Sequence, residues 1–125
     1  NNMLPDFSPN SLAKAAQRDD LIQKTAAQII KDFAEFGLEV TFSGKTEQFY
    51  PELFQQLYQL VEELLANDYN RFLAMLYRID ISNKEMADYQ LMMPQGNNTE
   101  VVTTLIIHRE LKKVMTREYF KHHQP

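Results

Sequence analysis

Apolar residues recur at three- and four-residue intervals along most of this chain, broken by a few short polar stretches, which is the period of amphipathic helices sharing one core. From about Asp19, the residues Ile22, Ala26, Ile29, Ile30 and Phe33 fall on one face, with Asp19 and Asp20 near the positive end and Gly37 just past the last turn. Leu38, Val40 and Phe42 then alternate with Glu39, Thr41 and Ser43, the pattern of a short extended segment. A lone strand has no partner in such a chain, so the segment is expected to be a connection closing one end of the core. Its edge is also open to pairing with a second copy.

Pro51 suits a first helical residue, and Leu53, Leu57, Leu60, Val61, Leu64 and Leu65 form a single stripe opposite Gln55, Gln59, Glu62 and Glu63. Tyr69, Phe72, Leu73 and Leu76 lie roughly 100° around from that stripe on a wheel of 3.6 residues per turn. The phase change predicts a break at Asn67-Asp68, with Asp68 as N-cap of a helix running to about Ile79. Ser82 and Glu85 have the spacing of a capping box at the start of a further helix that ends before Pro94. After a loop at Gln95 to Asn98, Thr99 is expected to cap and begin the fifth helix, with Val101, Val102, Leu105 and Ile106 facing inward.

The expected fold is therefore all-α, an irregular bundle of about five helices with one short extended connection. Residues 1–18 read as a partly ordered N-terminal arm whose Leu4 and Phe7 could find a groove, 19–121 as a single helical domain, and 122–125 as a C-terminal tail. A length of 125 residues suits one core of this kind.

Two charges interrupt apolar faces. On the third-helix wheel Asp80 falls among Tyr69, Leu73 and Leu76, and on the fifth-helix wheel Arg109 falls among Val102, Leu105 and Ile106. Buried charges need partners, so the two are candidates for a buried polar pair across the core. The competing reading has Asp80 capping the turn before the fourth helix while Arg109 extends to solvent.

Other chemistry is mostly excluded. There is no cysteine, which removes disulfides, thiolate metal sites and thiol nucleophiles. Three glycines make no phosphate-cradling loop, and the residues three before His108, His122 and His123 are Leu105, Tyr119 and Phe120, so no Glu-x-x-His pair exists for a di-metal site. Glu62-Glu63 and Asp19-Asp20 diverge by about 100° on their helices and read as solvated faces. No catalytic constellation, cofactor or metal site is expected, and the chain does not read as an enzyme.

The net charge is −4, divided between −7 over residues 1–107 and +3 over residues 108–125. An acidic chain is a poor match for nucleic acid, and the fourth helix offers Lys84 alone beside Glu85 and Asp88 where a reading helix would need several basic groups. No apolar run approaches the roughly 20 residues that span a bilayer, so a soluble, cytoplasmic protein is expected. Met86, Tyr89, Met92 and Met93 make the fourth helix a candidate interaction surface, with the chain itself or another protein as partner.

The run Leu76-Tyr77-Arg78-Ile79-Asp80-Ile81-Ser82 with Lys84-Glu85, followed by Leu105-Ile106-Ile107-His108-Arg109-Glu110-Leu111 and Lys113, resembles a group of small bacterial all-helical proteins of no assigned activity. The similarity covers about residues 20 to 120. It implies that these two segments belong together in the fold, and it implies nothing about a substrate. The expected function is a protein-interaction or structural module, with a small-molecule-binding bundle near Asp80 and Arg109 as the alternative.

Overall fold

A computed structural model describes residues 18–122, without the side chain of His122. Five α-helices run in the order α1 (Asp19–Ala34), α2 (Phe49–Asn67), α3 (Tyr69–Ile79), α4 (Asn83–Met92) and α5 (Asn98–His122), with a 3-10 turn at Thr46–Gln48 before α2. No strand occurs among the described residues. The arm read over residues 1–18 lies outside them except for Arg18, and so do His123 and the rest of the tail.

The last helix is the axis of the bundle. Val101, Val102, Thr103, Leu105, Ile106 and Ile107 are all buried and Thr104 is partly so, which encloses about two turns of α5 almost completely. Helices α1 and α2 make the closest contacts with it, α3 bridges α1, α2 and α5, and α4 lies against α5. Ile22, Ile29 and Phe33 of α1, Leu53, Leu57 and Val61 of α2, Phe72, Met75 and Ile79 of α3, and Val102, Ile106 and Ile107 of α5 form one continuous core. A smaller cluster of Leu21, Val114 and Met115 continues the α1–α5 seam.

The predicted break is present. Asp68 departs from helical geometry at φ −151°, ψ 68°, and its carboxylate accepts the Arg71 backbone N–H at 3.2 Å as the N-cap of α3. Ser82 and Glu85 form the reciprocal capping box at the start of α4, with the Glu85 N–H donating to Ser82 Oγ at 3.1 Å and the Ser82 N–H to Glu85 Oε1 at 3.1 Å. The cap of α5 differs from the expectation. Asn97, not Thr99, accepts the Glu100 N–H on its side chain at 2.8 Å, which puts Thr99 inside the first turn. Pro51 likewise stands within the first turn of α2, where its missing N–H costs nothing, because that helix starts two residues earlier at Phe49.

Helices α1 and α3 end in the same way. After α1 the Leu38 N–H reaches Phe33 O at 3.1 Å and the Gly37 N–H reaches Ala34 O at 3.0 Å. After α3 the Ile81 N–H reaches Leu76 O at 3.0 Å and the Asp80 N–H reaches Tyr77 O at 3.1 Å. Both are Schellman closures, which require a left-handed residue. Gly37 fills that position at φ 72° and Asp80 at φ 68°.

The extended segment after Gly37 has no neighbouring strand, and side chains of α2 supply its hydrogen bonds instead. The Gln56 carboxamide accepts the Thr41 N–H at 2.9 Å and donates to Thr41 O at 2.8 Å, as a paired strand would. One turn earlier on the helix, Glu52 accepts the Ser43 N–H at 2.9 Å and the Ser43 hydroxyl at 2.6 Å. Val40 is buried and Leu38 and Phe42 pack on the core, so the segment closes one end of the bundle as the alternation predicted.

Candidate functional site

Asp80 and Arg109 do meet, but at the surface. Arg109 Nη2 donates to Asp80 Oδ2 at 2.9 Å and its Nε to the Asp80 carbonyl at 3.1 Å, while the Asp80 side chain is 85% exposed and that of Arg109 18%. The expectation of a buried pair is thus corrected. A wheel assumes that the helix continues, whereas Asp80 has already turned into the left-handed region and its side chain no longer follows the α3 face. What Arg109 secures is the exposed corner between α3 and α4. Arg109→Ala is therefore expected to cost no more than about 1 kcal/mol, not the 3–5 kcal/mol of a broken buried pair, and the shift of a urea midpoint measures it.

Beside this corner lies a cleft between α4 and α5 of about 190 Å³, lined by Glu85, Asp88, Tyr89, Leu105, His108, Arg109 and Lys112. The Tyr89 hydroxyl is 2.9 Å from His108 Nδ1. Burial pushes the His108 imidazole down from its ordinary value, which favours the neutral ring. Burial, with Glu85 and Tyr50 adding to it, pushes the Tyr89 hydroxyl up, which keeps it protonated. The cleft is smaller than the roughly 300–1,000 Å³ of typical ligand pockets.

The candidate surface on α4 is also redistributed. Met86 packs against the core, Tyr89 is engaged with His108, and the Met93 methyl lies against Gly96, which leaves Met92 as the exposed member of the four, next to exposed Leu91. Met86 and Tyr89 attach this helix to the body of the bundle, while Leu91 and Met92 face outward.

A larger apolar surface lies on α3. Its buried face is Phe72, Met75 and Ile79, and two members of the stripe expected to face inward, Tyr69 and Leu73, point outward with Tyr77: they are 55%, 45% and 89% exposed. The adjacent row, Asn70 and Ala74, is exposed and uncharged. Both arginines of α3 are drawn off this face. Arg71 Nη2 donates to the Phe36 carbonyl beside Gly37, and Arg78 pairs with Glu35 at 2.7 Å.

Inside the bundle, α1 and α5 enclose a charge cluster. Asp32 and Glu110 are both fully buried, and Lys113 Nζ lies 3.4 Å from Asp32 Oδ2 and 3.1 Å from Glu110 Oε1. Gln28 Nε2 donates to Asp32 Oδ1 at 3.0 Å, Arg117 Nη2 donates to Gln28 Oε1 at 2.8 Å, and Arg78 approaches Asp32 to 3.8 Å from α3. Burial alone would raise the Asp32 carboxyl, but hydrogen bonds with Glu110 and Gln28 and the Lys113 ammonium outweigh it and hold Asp32 below its ordinary value. Burial first, and then neighbouring Asp32, push Glu110 up to about 8, with Lys113 only partly opposing them. Sealed from solvent, these carboxyls do not reach a substrate from where they stand.

Among the described residues, no three His, Asp or Glu side chains converge as a metal site, and no helix is long and apolar enough to cross a membrane. No family model matches the chain, and neither a curated protein nor a solved structure matches it significantly.

Proposed function

We propose that the protein is a protein-interaction module and that its partner is a second copy of itself, paired through the outer face of α3. The observation that carries this reading is the uncharged row Tyr69, Leu73 and Tyr77 beside Asn70 and Ala74. Single exposed apolar residues are ordinary, but an aligned row over the length of a helix, flanked by the small Ala74, makes a packing surface. Tyr69, Leu73 and Tyr77 are spaced at i, i+4 and i+8, the ridge that interdigitates when two helices cross at about −50°, and the neighbouring row Asn70, Ala74 ends at Arg78, whose charge is paired with Glu35. In a two-fold dimer each residue near the axis meets its own counterpart, so a charged face would repel itself and this one does not. The small Ala74 next to Leu73 leaves room for the counterpart of Leu73. The alternative of a bound small molecule near Asp80 and Arg109 is less favoured, because the cleft there is small and the Arg109 guanidinium is already taken by Asp80.

Sedimentation equilibrium is the test. Twice the chain mass is expected at high protein concentration, and Leu73→Glu, which brings two carboxylates together at the axis, is expected to weaken association roughly a hundredfold while leaving the helical circular dichroism unchanged. A parent protein that stays monomeric throughout, or a Leu73→Glu variant that dimerises as well as the parent, overturns the reading.

A further inference from the structure

Two carboxyl groups are enclosed between α1 and α5 with one ammonium between them. Lys113 can balance one negative charge, and Arg78, 3.8 Å from Asp32, already serves Glu35. Neither oxygen of Glu110 receives a well-aligned hydrogen bond when all groups carry their ordinary charges, although both are buried. Asp32 and Glu110 are nevertheless within hydrogen-bonding reach of each other. Two ionised carboxylates cannot hydrogen-bond, since neither has a donor. One proton between them supplies the missing donor and removes the excess charge from the interior.

We propose that Asp32 and Glu110 hold a single proton between them and that this proton, with Lys113, operates a clasp joining α1 to α5, closed in mildly acidic solution and loosened in alkaline solution. The proton resides on Glu110, because Asp32 has the Gln28 amide and the nearer approach of Arg78 while Glu110 has Lys113 alone. The charged and titratable groups facing the pair are Asp32 with Glu35 behind it on α1, Arg78 on α3, and Lys113 on α5 itself. Apart from the apolar contacts of the seam, such as Leu21 with Val114, its other polar ties include Lys24 with Glu118 at 2.7 Å and Arg117 with Gln28, each with at least one exposed partner, whereas Asp32 and Glu110 are both fully buried.

The sign of the linkage follows from the direction of the Glu110 shift. A carboxyl held above its ordinary value in the folded state binds a proton that the unfolded chain has already released. Its stabilisation is complete below the ordinary carboxyl range, declines as pH rises from about 4.5, and is gone above about 8. Asp32, held low, acts in the opposite sense and only in acid.

The test compares the full chain with Glu110→Gln, whose carboxamide keeps a donor toward Asp32 at every pH. Urea unfolding between pH 5 and 9 is expected to show the parent's folding constant falling relative to the variant by up to about tenfold per pH unit, levelling near pH 8. Parallel profiles for the two proteins overturn the proposal. A carbon-13 titration of the Glu110 carboxyl in the parent decides the matter even if the variant folds poorly. A midpoint well above the ordinary glutamate value is expected, and a midpoint near 4.5 overturns the proposal.

Discussion

Lys113→Met is expected to destabilise the protein by about 3–5 kcal/mol, read as a lower urea midpoint at unchanged m-value. The Lys113 stem is largely buried and methionine keeps its apolar volume, so the substitution removes the ammonium and little else. Asp32 then loses its closest cation and keeps Gln28, with Arg78 more distant, while remaining fully buried. The loss is the cost of an uncompensated interior charge, and a second substitution identifies it as such: Asp32→Asn with Lys113→Met removes both charges and is expected to recover much of the stability. A Lys113→Met protein within about 0.5 kcal/mol of the parent would mean that solvent or Arg78 compensates Asp32 unaided.

The second large effect is expected at the axis of the bundle. Ile106 is fully buried in the main core, and Ile106→Ala is expected to cost about 3–5 kcal/mol through lost transfer energy and the cavity left among rigid neighbours. Leu91→Ala, on the exposed side of α4, is the matched control and is expected within about 0.5 kcal/mol of the parent by the same urea measurement. Similar losses at the two sites would contradict a core centred on α5.

Much of this fold was legible from periodicity and caps. The five helices, the break at Asp68 and the Ser82–Glu85 capping box all rest on local chemistry that the sequence displays directly. Where two answers were locally equivalent, the reading went astray. Helix α3 carries two apolar rows, Phe72-Met75-Ile79 and Tyr69-Leu73-Tyr77, and only the neighbours supplied by α1, α2 and α5 decide which is covered. Asn97, Asn98 and Thr99 are three capping residues in succession; Glu100, three residues after Asn97, marks the first as the cap.

The buried charge cluster was missed, although the wheel argument that singled out Asp80 would have found it. Ile22, Thr25, Ile29 and Asp32 share one row of α1, and Thr103, Ile106, Ile107, Glu110 and Val114 share one face of α5. Both acidic residues lie well inside their helices, where the wheel holds, whereas Asp80 stands at a terminus where the backbone turns away. What no wheel could show is that the two faces oppose each other and share Lys113.

The central place of α5 also bears on how the chain is made. It is the last of the described helices to leave the ribosome, and the contacts that close the bundle, such as Lys113 with Asp32 and Lys24 with Glu118, join residues 81 and 94 positions apart. Until α5 emerges, α1, α2 and α3 can cover one another only in part, because the residues at the centre of their shared core, Val102, Ile106 and Ile107, have not been made. A nascent chain that has produced α1 to α4 therefore leaves apolar helix faces incompletely covered, and its native core is completed only after synthesis of the segment that those helices surround.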